Sequence, residues 1–133
     1  MRPGQRDYVA YRLSRARSAL RSAESLLQLD ELPDAVNRLY YACFYAVTAL
    51  LSTEGIRVSR HTGVLSKFGE LWTQPGRFPR QMGRFIHDMF ERRLEGDYGE
   101  AASFDRAEVE GWLAESRSFV ERIASYLEES GKA

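Results

Sequence analysis

The chain of 133 residues holds a single cysteine, Cys43. No disulfide can form within it, and a zinc site built on clustered cysteines is excluded with it. Histidine is nearly as scarce, with only His61 and His87, which leaves little material for an imidazole metal centre. Proline occurs 4 times and glycine 10 times, so collagen-like and disordered classes lack their composition. The 19 basic and 19 acidic side chains cancel, and overall charge points to no polyanion. The longest apolar run, Leu39 to Leu51 interrupted by Thr48, is too short to cross a bilayer. The polar, arginine-rich start carries no signal-peptide core. No stretch alternates like a strand, and no Asn-Gly or Asp-Gly hairpin signal occurs. A soluble, cytoplasmic protein without a membrane segment, metal or cofactor is expected.

What is present suffices for one domain over residues 1–133. Hydrophobic residues make up 44% and charged residues 29%, enough to close a core without staples. Charge is balanced but unevenly spread. Residues 1–21 carry six arginines against Asp7, and residues 95–129 carry ten acids against three arginines. Between them, residues 57–93 carry eight basic side chains against Glu70, Asp88 and Glu91. Seventeen of the nineteen basic residues are arginine, whose planar fork suits phosphate and carboxylate. Codon bias accounts for much of that excess. The clustering over 57–93 would suit a local anion site.

Helical periodicity runs nearly throughout. Val9, Leu13, Ala16, Leu20, Ala23 and Leu27 repeat at spacings of four and three, predicting a helix over about 6–29. Pro33 suits the first turn of a second helix, over 33–54, which Gly55 stops. That helix carries two apolar stripes, Val36–Tyr40–Cys43–Val47–Leu50 and Tyr41–Phe44–Tyr45–Thr48–Leu51. A helix apolar on two sides is covered on two sides, which places it at the centre of the fold or of a dimer. Val64 to Trp72 predicts a short third helix, broken at Thr73–Gly76. A fourth is expected over 80–93, followed by a loop from Leu94 to Gly99 with two glycines. Asp105 and Glu108 form a capping box for a last helix reaching about Glu129. The expected architecture is an all-α bundle: two long antiparallel helices, a short pair and a long closing helix.

Four groups of residues could carry chemistry, and each also has a plain structural reading. His61 lies in Arg57–Gly63, where Ser59 or Thr62 could cap helix three and an anion could sit. It could move protons near neutral pH, or only pack against the loop. His87 follows Arg80 and Arg84 on helix four; it could join a phosphate site, or be an exposed histidine paired with Glu91. Arg92, Arg93, Asp97 and Tyr98 gather at the end of helix four, where Arg93–Asp97 could face a cleft or merely fix a loop. Arg77, Arg80 and Arg84 flank Phe78 and Phe85, a pattern that meets single-stranded nucleic acid but more often marks core aromatics under a solvated face. No phosphate-binding glycine loop, Ser-His-Asp order or paired-histidine motif occurs.

Three segments together resemble one family. Asn37-Arg38-Leu39-Tyr40-Tyr41-Ala42-Cys43-Phe44-Tyr45-Ala46 resembles the second helix of HEPN domains (higher eukaryotes and prokaryotes nucleotide-binding). Ser59-Arg60-His61-Thr62-Gly63-Val64 looks like the loop before the third helix in a small, stand-alone prokaryotic branch of that family. Arg93-Leu94-Glu95-Gly96-Asp97-Tyr98 looks like its Arg-x-x-x-Asp-Tyr loop. The likeness covers about residues 8–128.

The resemblance implies a five-helix bundle that forms a homodimer with a cleft at its axis. It implies a metal-independent endoribonuclease of toxin type, encoded beside a minimal nucleotidyltransferase antitoxin. Arg93, Asp97 and His61 would then be catalytic, and Arg38, Tyr41, Arg60, Arg92 and Tyr98 would bind nucleotide or RNA. The chain departs from the family's Arg-x(4–6)-His signature, because Asp97 stands where histidine is expected. Arg80 and His87 satisfy that spacing but lie too early in the chain. Tyr98 is the nearest equivalent of a tyrosine that the partner nucleotidyltransferase modifies in toxin members. Two alternatives stay open: a non-catalytic module binding a nucleotide or a nucleotidyltransferase, and a plain dimerisation scaffold.

Overall fold

Every member of the first apolar stripe, Val9 through Leu27, is buried, and it lies on one helix, α1 (Gln5–Gln28). A tight turn follows in which Asp30 takes a left-handed backbone at φ 62°. The computed structural model describes residues 2–98 and 103–133, without the side chain of Tyr98. Among these residues the chain forms helices and no strand.

Helix α2 (Leu32–Ser52) carries Pro33 in its first turn, where the missing N–H has no intrahelical partner to lose. Val36, Tyr40, Cys43, Val47 and Leu50 are fully buried, while Tyr41, Phe44, Tyr45 and Thr48 are half-buried. The helix packs against all four of its fellows, the central position that its two stripes demand. Gly55, at φ 72°, turns the chain away, and Ile56 N–H donates back to the Leu51 carbonyl.

Helix α3 (His61–Phe68) begins earlier than expected, and Arg60, not Ser59 or Thr62, is its N-cap. Arg60 offers no side-chain acceptor, so the first turn has no side-chain cap. Gly63 lets this turn press on the preceding segment, since a Cβ there would run into Val58 Cγ1. The helix passes directly into a widened π-helical turn (Gly69–Thr73), closed by Gln74 N–H to the Gly69 carbonyl at 2.8 Å. That turn buries Trp72 completely and Thr73 almost so.

Helix α4 (Arg80–Tyr98) corrects the expected loop over 94–99: the helix continues as far as Tyr98. Gly96 is there for contact, not as a breaker. A Cβ on it would lie 3.2 Å from Phe104 Cε2 and 3.6 Å from Pro33 Cβ, so its bareness lets α4 press against the start of α2 and the segment before α5. Helix α5 (Arg106–Glu129) is capped by Asp105, which accepts from Ala107 N–H; the return bond from Glu108 is not made among the described residues. Ile123, Val120, Leu127 and Phe119 close the core from its side. No helix among the described residues is long and apolar enough to cross a membrane.

Candidate active site around His61 and Arg93

Three helices converge on one end of the bundle. Successive turns of α2 present Asn37, Arg38, Tyr40, Tyr41 and Phe44. Helix α3 contributes its first residue, His61, and α4 contributes Phe90, Arg93 and Asp97. Because α4 stays helical through Asp97, Arg93 and Asp97 are one turn apart on a common face.

His61 sits among aromatic rings. Its Nδ1 lies 2.7 Å from Tyr40 Oη, its ring stacks on Phe44 with centroids 4.3 Å apart, and Tyr41 meets it edge-on at 5.6 Å. Burial lowers the His61 pKa below its ordinary value, and the nearby Arg93 cation lowers it further. A neutral imidazole at pH 7 follows. Its Nε2 makes no hydrogen bond among the described residues. Burial also holds the Tyr40 phenol well above its ordinary range, only partly offset by Arg93, so Tyr40 stays protonated.

Arg93 lies over rings of the same cluster. Its guanidinium carbon is 5.1 Å from the Tyr40 centroid, 5.7 Å from Tyr41 and 5.3 Å from Phe90. The side chain is only 12% exposed, and Nε is buried with no partner among the described residues. A cation held this way, against ring faces and away from water, keeps strong unspent attraction for an anion.

A polar chain links the two flanking arginines. Arg38 donates to Asn37 Oδ1 at 3.0 and 3.2 Å. Asn37 Nδ2 donates to Asp97 Oδ2 at 3.1 Å, and Arg93 Nη1 lies 3.8 Å from the same oxygen. The two ends fix the Asn37 amide: oxygen toward the cation, nitrogen toward the carboxylate. Arg38 also covers the Tyr41 ring at 5.0 Å.

Of the residues expected at a site, the structure brings His61, Arg93, Asp97, Arg38 and Tyr41 together. Arg60 is exposed beside His61 and makes no ion pair among the described residues. Arg92 does not join them. It turns toward α5, with its guanidinium 4.2 Å above Trp112 and Nη1 against Met89 Sδ. The side chain of Tyr98 lies outside the described residues. His87 is 64% exposed and 3.9 Å from Glu91, the plain surface pairing. Phe78 and Phe85 belong to the core. Cys43 is no nucleophile, because burial pushes its thiol up to about 12. No three His, Cys, Asp or Glu side chains among the described residues gather as metal ligands.

Sequence reasoning missed Tyr40, Asn37, Phe44 and Phe90 as site residues. Tyr40 read as core, and it is core over its ring. Its ring also borders the site, beneath Arg93 and beside His61, and its hydroxyl meets His61 Nδ1.

The model of the HEPN domain matches residues 9–127. The chain belongs to the HEPN domain family. A UPF0332 protein of Thermotoga maritima is 38% identical over 125 residues, covering 94% of this chain and 95% of that one. "Putative toxin MJ0605" of Methanocaldococcus jannaschii is 31% identical over 124 residues, covering 93% and 92%. "Putative toxin MJ0142" of the same organism is 28% identical over 115 residues, covering 86% and 78%. The all-α HEPN bundle, with α2 at its centre, accounts for the arrangement of the site: the three helices that build it are the ones that α2 holds together.

Proposed function

We propose that this HEPN protein is a toxin-like, metal-independent endoribonuclease that acts in the cytoplasm as a homodimer, with Asp97 in the place of the family's histidine. The observation that carries the proposal is the packing of His61 and a largely buried, incompletely bonded Arg93 into one aromatic nook. Two relatives bear the name of toxin, which supports the toxin-like part.

His61 Nε2 accepts the proton of a ribose 2′-hydroxyl while Nδ1–H donates to Tyr40 Oη. The freed 2′-oxygen attacks the adjoining phosphorus, and the bond from phosphorus to the 5′-oxygen breaks. The imidazolium returns its proton to that oxygen, leaving a cyclic phosphate and a 5′-hydroxyl. Arg93 stabilises the charge that gathers on the phosphorane. Asp97 and Asn37 hold Arg93 and Arg38 in register; Arg38, Tyr41 and Arg60 meet the strand around the reacting phosphate. The exposed Tyr11 and the half-buried Tyr45, outside that contact, offer a second copy an aromatic surface.

Purified protein incubated with tRNA and total RNA in chelator should cleave them, and His61→Ala and Arg93→Ala should each abolish cleavage. Inert wild-type protein at high concentration overturns the proposal. Sedimentation tests the dimer.

One observation favours a second reading. The Asp97 carboxylate is already engaged by Asn37 and Arg93, so it is poorly placed to move protons. A non-catalytic module that binds a nucleotide, or a minimal nucleotidyltransferase antitoxin that modifies Tyr98, would need only the anion site. Co-purification with the neighbouring-gene product, and a mass increase on Tyr98 with that product and ATP, would favour this reading.

A further inference from the structure

Beside the His61 nook lies a second feature that the proposed chemistry does not use. The start of α1, the C-terminal half of α2 and the segment over 53–59 enclose an open cavity of about 1170 Å³. Arg2, Arg12 and Arg57 line it, and no aspartate or glutamate does. In a chain of zero net charge, a cavity with three cations and no acid is a local positive well. Tyr8 and Phe44 supply ring surface in its wall. Gln5 Nε2 ties α1 to α2 across it through the Ser52 carbonyl, at 2.6 Å.

Phe44 belongs to both places. It lines the cavity, and His61 stacks on it at 4.3 Å. Ser59 and Val64, which flank His61 in the chain, line the cavity as well. A ligand leaving the cavity over Phe44 therefore meets His61 next. Arg12 is preset at the rim: its Nε donates to Tyr8 Oη at 2.9 Å, and its guanidinium lies 5.3 Å from the Tyr8 centroid and 5.6 Å from that of Tyr45. Its remaining N–H groups make no hydrogen bond among the described residues.

Cations at the wall with ring faces between them match alternating phosphates and bases. We infer that this cavity binds a nucleotide adjoining the scissile phosphate of single-stranded RNA, with Arg12 and Arg57 on backbone phosphates and Tyr8 against a base. The inference rests on the endoribonuclease reading for its choice of ligand. The other groove, between α3 and α4, is a weaker candidate: Arg80, Arg84 and His87 line it together with Asp88, and His87 already faces Glu91.

The test is fluorescence anisotropy with a short single-stranded oligoribonucleotide, 2′-O-methylated so that it cannot be cleaved, titrated across a series of salt concentrations. Tyr8 is 41% exposed and Arg57 is exposed, so their variants should fold. Arg12→Ala with Arg57→Ala should reduce the slope of log affinity against log salt by about 1.4, two phosphate contacts at about 0.7 each. Tyr8→Ala should weaken binding about five-fold or more. Arg80→Ala with Arg84→Ala should leave both quantities unchanged.

The inference is overturned by wild-type protein that does not bind, by an unchanged slope in the Arg12/Arg57 variant, or by an equal change in the Arg80/Arg84 variant. It is also overturned if the cavity variants alter sedimentation and leave RNA binding intact, since a second copy then fills the cavity. The two proposals fail separately. Binding through the cavity without cleavage of unmodified RNA removes the nuclease reading alone. Cleavage with an unchanged slope removes this inference alone.

Discussion

Tyr40 Oη and His61 Nδ1 lie 2.7 Å apart, joining residues 21 positions distant in the chain. The bond sets the orientation of the imidazole and ties the first residue of α3 to the middle of α2. Tyr40→Phe keeps the buried ring and removes only the hydroxyl. It should cost about 1 kcal/mol of stability, as loss of one hydrogen bond does, read as a lower urea midpoint. If His61 is the proton carrier, cleavage should fall further than stability does.

The lowered His61 pKa has a stability consequence. The ordinary value is 6.5, and the unfolded chain titrates there. The folded chain takes up this proton only at lower pH, because burial and then Arg93 oppose the charge. Between the two values the unfolded state binds more protons. This contribution to stability is therefore full above about pH 6.5 and is lost as pH falls through the lowered folded value. Arg93→Gln removes one of the two causes and should raise the His61 pKa while leaving it below 6.5. Proton NMR of the imidazole, assigned by the resonance missing in His61→Gln, measures both. A His61 pKa unmoved by Arg93→Gln would contradict the electrostatic contact.

The helices were legible because apolar residues recur at helical spacing. The two stripes of α2 even announced its central position. The end of α4 was not legible, because a glycine inside a helix and a glycine in a loop look alike in sequence. Only the approach of Phe104 and Pro33 to Gly96 distinguishes them. His61, Arg93 and Asp97 stood out by motif, yet Arg92 was expected to bind RNA beside Arg93, and its turn away toward α5 was not legible. Successive helical residues point about 100° apart, and the partners that decide between them, Trp112 and Tyr40, sit on other helices. Tyr40 itself was hidden by its own burial.

Gly83 and Gly96 both sit in α4, where alanine would otherwise favour the helix by about 1 kcal/mol. They should respond differently. A Cβ at Gly83 would lie 2.9 Å from Thr73 Oγ1, and Thr73 is only 4% exposed beside the π-helical turn. Gly83→Ala should destabilise by about 1–3 kcal/mol through overpacking, and Thr73→Ala should relieve much of it in a double-mutant cycle. Gly96→Ala meets the edge of half-buried Phe104 at 3.2 Å, a milder contact against the same helical gain. Its change should be near zero, within about 1 kcal/mol. Thermal melts of the four variants check both statements. An additive double mutant would show that Thr73 is not what resists the Gly83 methyl.

Arg92 and Arg93 give the sharpest separation of packing from chemistry, because they are adjacent and carry the same charge. Arg92 rests 4.2 Å above Trp112 on α5, where a cation–π contact contributes about 0.5–2 kcal/mol according to its desolvation. Arg93 rests on Tyr40, Tyr41 and Phe90 beside His61. Arg92→Gln should therefore lower stability by that amount and leave RNA cleavage per folded molecule within about two-fold, a transition-state change below 1 kcal/mol. Arg93→Lys retains charge and loses the planar fork. It should lose most cleavage, on the order of a hundred-fold for one displaced phosphorane contact, while its melting temperature stays nearer wild type than its activity does. Urea denaturation and initial cleavage rates on the same preparations decide the matter. Equal losses of cleavage in both variants would contradict this separation and mean that the α5 side of α4 serves the substrate as much as the His61 side does.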